Sequence, residues 1–339
     1  MDLTERQQSI LKMVVEEYVL SAAPVPSEKI AGRPQLKVSS ATVRNEMVEL
    51  EDLGLLTHPH TSAGRMPSDV GYRYYIEHLM TERGLTRMEQ EMVWHQFHQV
   101  EADLDEWLPL AAAVTAQMAR TAALVTKLHS PRNYVRRVEL VAVQDDVALV
   151  VLILRSGSLQ QRLVRLASPI SREELIRTAN RLSEQLEDLD HAQVQKKIDS
   201  LEGLDHELGQ VVVRLMEQSE RPWGDSIYYE GIGFISGEPE FGRPARLMEL
   251  VETLQRGAPL GPLLQDVLTS DDLRIVIGGE NESEQMRGWS VVLQRFGVSD
   301  QATGVIGVVG PTRMRYWRAV SLVRFMAELL DRLVEQSLR

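Results

Sequence analysis

Arg44 and Asn45 stand side by side in the run SSATVRNEMVELEDLGLL, which starts at Ser39. These two side chains are suited to reading purines in a major groove. A guanidinium pairs with guanine O6 and N7, and a carboxamide with adenine N6 and N7. Ala41 and Thr42, just ahead of them, carry methyl groups of the kind that meet a thymine methyl. A second polar set follows in PHTSAGR, where His60, Thr61, Ser62 and Arg65 suit contact with the nucleic-acid backbone or the minor groove. With Ser27, Lys37, Ser39 and Ser40 upstream, these residues make up the candidate DNA-binding set.

The elements that must position this set follow from the apolar spacing. Val43, Met47, Leu50 and Leu53 recur at gaps of four, three and three, the rhythm of a helix with one packed face. Ser39 or Ser40 can cap its start, and Gly54 ends it. Ala41, Thr42, Arg44, Asn45 and Val48 then lie off the packed face. Glu46, Glu49, Glu51 and Asp52 crowd the far half, so the helix is expected to enter DNA by its first turns with its acidic end pointing away. An amphipathic helix with a solvated face fits the same pattern taken alone. The neighbouring elements favour a DNA reader. Thr4-Glu-Arg-Gln7 is a capping box opening a first helix through about Ser21. Pro24 and Pro26 break it, and Ser27 is expected to cap a short second helix around Lys29 to Arg33, cut short by Pro34. Lys29, Arg33, Lys37 and Arg44 form a cationic stripe without an acidic residue from 29 to 45. After Gly54 come a short strand, a wing tip and Arg65, then a helix over 68–80 in which Tyr72, Tyr74 and Tyr75 are expected to pack rather than stack on bases. That is the order of parts in a winged helix-turn-helix.

The runs VSSATVRNEMVELEDLGLL and PHTSAGRMPSDVGYRYY closely resemble the HrcA heat-shock repressors of bacteria, and VIGVVGPTRMRYWRAVSLVRFMAELLDRLVEQ near the C-terminus is a second match. The resemblance implies a winged-helix domain over 1–80, a GAF-like α+β domain over 81–192 and 271–339, and a dimerising domain inserted at 193–270. It also implies a homodimer that binds an inverted-repeat operator (CIRCE) ahead of chaperone operons, kept competent by the GroEL/GroES chaperonin. A metabolite-sensing regulator, with the GAF-like domain as the ligand site, is the alternative.

Beyond the reader, 86–128 is expected to be helical, interrupted at Pro109. Strands are expected near 134–143, 146–155, 159–166, 273–278, 289–296 and 304–309, a helix over 171–186, and a last helix from about Arg313. The fold class is therefore α+β and multidomain. His95 and His98 lack a third ligand, Gly231-Ile-Gly233 has the wrong spacing for a dinucleotide loop, and no nucleophile–base pattern stands out, so neither an enzyme nor a cofactor is expected. The chain has no cysteine and no apolar run near the roughly 20 residues a membrane helix needs, so the cytoplasm is the expected compartment. A net charge of −12 over 339 residues opposes non-specific attraction to phosphate, so binding must rest on local charge and correct base contacts.

Overall fold

The computed structural model describes residues 3–34, 36, 38–60, 64–100, 103–129, 133–144, 146–155, 159–220, 227–241, 248, 251–252, 260–270, 272–298 and 302–337. These fall into two compact units. The first comprises 1–127, 227–296 and 305–339, and the second 128–226 and 297–304. The chain therefore divides near 128 and 226. The reason is packing. The strands of 135–165 bury their apolar side on the helices that follow them, not on the late strands.

The first unit opens with α1 (Glu5–Ser21), α2 (Ser27–Ala31) and α3 (Ser40–Asp52). Thr4 and Gln7 close the capping box on α1, whose Ile10, Leu11, Val14 and Val15 are buried. A two-stranded wing follows, β1 (Leu56–Thr57) antiparallel to β2 (Met66–Pro67). Helix α4 (Asp69–Tyr74), capped by Ser68, runs into a π-helical turn at Tyr75–Leu79. Tyr72 and Tyr75 are buried, so these rings pack as expected, while the half-buried Tyr74 lies on His78 at 4.6 Å.

Helices α5 (Arg87–His98) and α6 (Leu104–Ala119) come next. Pro109 lies within α6 and does not end it; α5 ends at His98 and α6 starts at Leu104. Its missing N–H costs the helix one bond of the intrahelical ladder, and the helix continues past it. The expected helix to 128 is also corrected. Residues Ala122–Thr126 form strand β3, because Arg120 in the left-handed region closes α6 and the β-branched Val125 and Thr126 then pair in a sheet.

With β7 (Ile227–Glu230), β8 (Arg274–Ile277), β9 (Trp289–Val298) and β10 (Ala302–Pro311), β3 forms a five-stranded sheet in the order β7-β3-β10-β9-β8. Every residue of β10 is buried, which explains its unbroken apolar run. The short α10 (Ile232–Ser236), α11 (Gly261–Thr269) and the long α12 (Tyr316–Ser337) complete the unit. One face of α12, from Ala319 to Val334, is buried.

The second unit is a three-stranded antiparallel meander, β4 (Val135–Gln144), β5 (Val147–Leu154) and β6 (Leu159–Arg165), with α7 (Arg172–Leu186), α8 (His191–Ile198) and α9 (Gly203–Glu220). Along β5, Ala148, Val150, Leu152 and Leu154 point into a core shared with Leu175, Leu182, Val212 and Met216. The alternate residues face the other way, where Leu149 pairs with Val141 and Leu163, both at least half exposed.

Candidate nucleic-acid interface

Helix α3 is built to expose its first turn. Ser39 is the N-cap, its hydroxyl accepting from the Thr42 N–H at 3.1 Å. Val43, Met47 and Leu50 are buried, and this fixes the roll of the helix. Leu53, expected in the same stripe, is 41% exposed because it is the C-cap, where the helical path ends. Ser39, Ser40, Ala41, Arg44 and Asn45 are all exposed, and Thr42 is half-buried with its hydroxyl 2.9 Å from that of Ser39. Arg44 has no ion-pair partner among the described residues, so its guanidinium is available.

The acidic half of α3 does not simply point away, as expected. Glu46 takes Arg6 at 3.2 Å, Glu49 accepts from the buried Gln7 at 2.9 Å, and Glu51 holds both His58 and Arg65. These carboxylates tie the recognition helix to α1 and to the wing. The cationic stripe is also partly spent. Lys29 and Arg33 both pair with Glu17 of α1, and Lys29, the stronger influence, helps hold the Glu17 carboxyl below its ordinary range. Lys37 lies outside the described residues, as do Thr61 and Ser62.

Two further expected positions differ. Ser27 does not cap α2; it is the first helical residue, and Pro26 stands at the N-cap without a side-chain bond. Arg65 does not project from the wing. Its backbone forms an antiparallel bridge with Val25, and its side chain, 18% exposed, turns onto Glu51 at 2.8 Å. His60 is exposed.

Two glycines that the sequence reading did not use set the frame. A Cβ on Gly64 would lie 2.4 Å from the Val25 carbonyl carbon, and one on Gly71 would lie 2.0 Å from the Leu55 oxygen. Both clashes are with backbone, so only glycine lets the wing and α4 approach this closely. Their signal in sequence is bare glycine inside AGRM and DVGY, which spacing alone cannot distinguish from a turn.

With a reader helix that presents an unpaired cation and a carboxamide on its second turn, and a wing braced behind it, the chain matches known proteins along nearly its whole length. Residues 2–77 match the family model described as "Winged helix-turn-helix transcription repressor, HrcA DNA-binding", and 105–320 match "HrcA protein C terminal domain". The chain belongs to the HrcA family. Its relatives include the heat-inducible transcription repressors HrcA of Roseiflexus castenholzii, 40% identical over 99% of this chain and 95% of that protein, and of Herpetosiphon aurantiacus, 40% identical over 98% and 96%. The Thermomicrobium roseum repressor of the same name is 39% identical over 98% and 96%. A solved structure described only as a hypothetical protein aligns over 99% of this chain and 98% of its own with a TM-score of 0.60 at 21% identity, and so shares the fold. HrcA relatives are named as transcription repressors, a non-enzymatic class. Among the described residues, no helix is long and apolar enough to cross a membrane.

Proposed function

We propose that this HrcA-family chain is a cytoplasmic repressor of chaperone operons that binds an inverted-repeat operator of the CIRCE type as a homodimer. A chaperonin of the GroEL/GroES kind keeps it competent, and heat-damaged protein that occupies the chaperonin releases the operons. The observation that carries this reading is the exposed face of the first two turns of α3. Arg44 is unpaired among the described residues and Asn45 stands beside it, on a helix whose roll is locked by Val43, Met47 and Leu50. The heat-inducible repressors that match nearly the full chain support the biological setting.

In this mechanism the first turn of α3 enters the major groove. Asn45 takes an adenine, Arg44 a guanine, and Ser39 and Ser40 lie near the phosphates. Glu46 is paired with Arg6 and Glu51 with Arg65, which lowers the repulsion an acidic helix would meet, while Glu49 accepts a hydrogen bond from the Gln7 carboxamide and keeps its charge. Dimerisation has a candidate surface in the open face of the β4–β5–β6 sheet. Val141, Val143, Leu159 and Leu163 are 50% to 62% exposed there, an apolar grouping of the kind that marks association sites. Footprinting of the full-length protein on an inverted-repeat fragment, with and without chaperonin, tests the reading. Protection of both half-sites that strengthens with chaperonin is expected. Protection of a single half-site, or indifference to chaperonin, would overturn the dimer or the chaperonin part respectively.

A further inference from the structure

Behind α1 of the reader lie two joined cavities that the DNA-reading surface does not use. The first, of about 360 Å³, is walled by Leu20 and Ala22 at the end of α1, Arg120 after α6, Phe234 of α10, and Arg313 and Arg315 ahead of α12. The second, of about 280 Å³, shares Val19, Leu20, Met314 and Arg315 with it and runs on to Tyr75 and Trp317. Both fall near the lower end of the range for small-molecule sites.

The two chambers differ in chemistry. Four arginines, Arg120, Arg313, Arg315 and Arg318, line the first against one carboxylate, Glu238, in a chain whose net charge is −12. Arg313 is buried and spent on Glu238 and on Glu240, the latter at 2.6 Å, while Arg318 pairs with Glu89. Arg120 and Arg315 are exposed to the cavity side of the surface and have no carboxylate partner among the described residues. Arg120 also sits at φ 54°, in the left-handed position where glycine usually closes a helix, with its guanidinium 5.6 Å from the centre of the Phe234 ring. An arginine in that position retains a cation at the chamber wall at a conformational cost glycine would avoid. The second chamber carries aromatic rings, Tyr75 buried and Trp317 half-buried, beside the charged Lys12, Glu16 and Arg83, the last 6.0 Å over the Trp317 ring.

We propose that the joined chambers bind a small amphipathic anion. Its phosphate or carboxylate head is met by Arg120 and Arg315, whose planar forks suit either oxyanion, and its aryl or short alkyl tail lies against Tyr75 and Trp317. Because α1 of the reader forms one wall and the 311–319 segment another, the ligand binds only while these parts are packed together, and it stabilises that packing by mass action.

Isothermal titration of the full chain at fixed ionic strength tests this, with phenyl phosphate and benzoate as aryl anions and inorganic phosphate and phenol as head and tail alone. Saturable binding of at least one aryl anion is expected, at least about tenfold tighter than its separate head or tail. Which of the two binds tells a phosphate from a carboxylate ligand. Arg120→Gln and Arg315→Gln should each weaken it about tenfold or more, whereas the exposed Arg136→Gln in the other unit should not. Unchanged melting temperatures in the ligand-free variants would show that they fold. No saturable heat from either aryl anion up to about 10 mM, a range that spans weak millimolar sites, would overturn the proposal. So would unaltered affinity in both arginine variants, or inorganic phosphate binding as tightly as phenyl phosphate.

Discussion

In the proposed reading Arg44 and Asn45 divide their labour by charge. Each can form a two-pronged contact with a purine, so Asn45→Ala and Arg44→Ala should each cost about 1–3 kcal/mol of operator affinity. Only Arg44 also serves binding to any sequence, because it alone is charged. Gel-shift titration on operator and on random DNA separates the two; an equal loss on both for Asn45→Ala would remove Asn45 from base reading. Arg65 is a different case. Its guanidinium rests on Glu51, so the wing cation is withheld from DNA in this conformation. Glu51→Gln removes that carboxylate and should steepen the dependence of log affinity on log salt by roughly one unit if Arg65 then turns to phosphate. An unchanged slope would mean that Arg65 stays on the protein surface. The exposed reading face was legible because helical spacing reports which residues turn away from a core. The Glu51–Arg65 pair was not, since 14 positions and a hairpin separate the two and no local periodicity links them.

Elements with strong internal signals were visible from sequence: α1 with its capping box, α3 with its apolar stripe, β4 to β6 with the short turn sequences between them, and α12. Those that depend on distant partners were not. Strand β3 reads as more of an alanine-rich helix until β10 and β7 pair with its two edges, and β7 has no signal of its own. Three tests belong to this scale. Gly71→Ala pushes a methyl into the Leu55 carbonyl and should cost about 1–3 kcal/mol, seen as a lower first transition in calorimetry of the full chain. The pairing of α2 to α1 through Glu17 should be pH-dependent. Lys29 lowers the folded-state pKa of this carboxyl below its ordinary value of 4.5, so the stabilisation is present above that value and is lost as pH falls further, through the folded value. Glu17→Gln should therefore flatten the acid limb of a melting-temperature profile below about pH 4.5 and leave its shape near neutrality unchanged. Finally, Leu163→Glu places a charge in the middle of the open sheet face opposite Leu149. If that face joins two copies, sedimentation should shift toward monomer; an unaltered dimer would place the contact elsewhere.

At the scale of the first unit, the reader is fastened to the five-stranded sheet by contacts spanning some 200 positions of sequence. Arg73 of α4 forms a two-pronged pair with Glu280 and donates to the Ile275 carbonyl at 2.8 Å. Asp69 accepts from the Gly279 N–H at 2.8 Å, and Gly278, at φ +49°, leaves room for that carboxylate where a Cβ would lie 2.4 Å from it. The Tyr72 ring lies 5.8 Å from that of Tyr316, whose hydroxyl bonds to Ser290 and the Thr312 carbonyl. None of this is readable from spacing: GGE looks like a turn and DVGYRY like an ordinary helix until the two are brought together. The consequence concerns an acidic protein that must hold DNA with little cationic surface. In the proposed dimer, two readers on one palindrome gain from the second contact being intramolecular, by up to about 10²–10⁴, but only while their separation is fixed. Loosening the fastening spreads the readers over more separations and erodes that gain. Asp69→Ala combined with Glu280→Ala should therefore weaken binding to a full inverted repeat by about fivefold to tenfold, the effect of losing partly exposed charged bonds, while leaving half-site affinity unchanged. Matched gel shifts on the two DNAs measure both. An equal loss on each would mean that the substitutions had damaged the reader itself. No loss on either would mean that the fastening plays no part in setting the distance between readers.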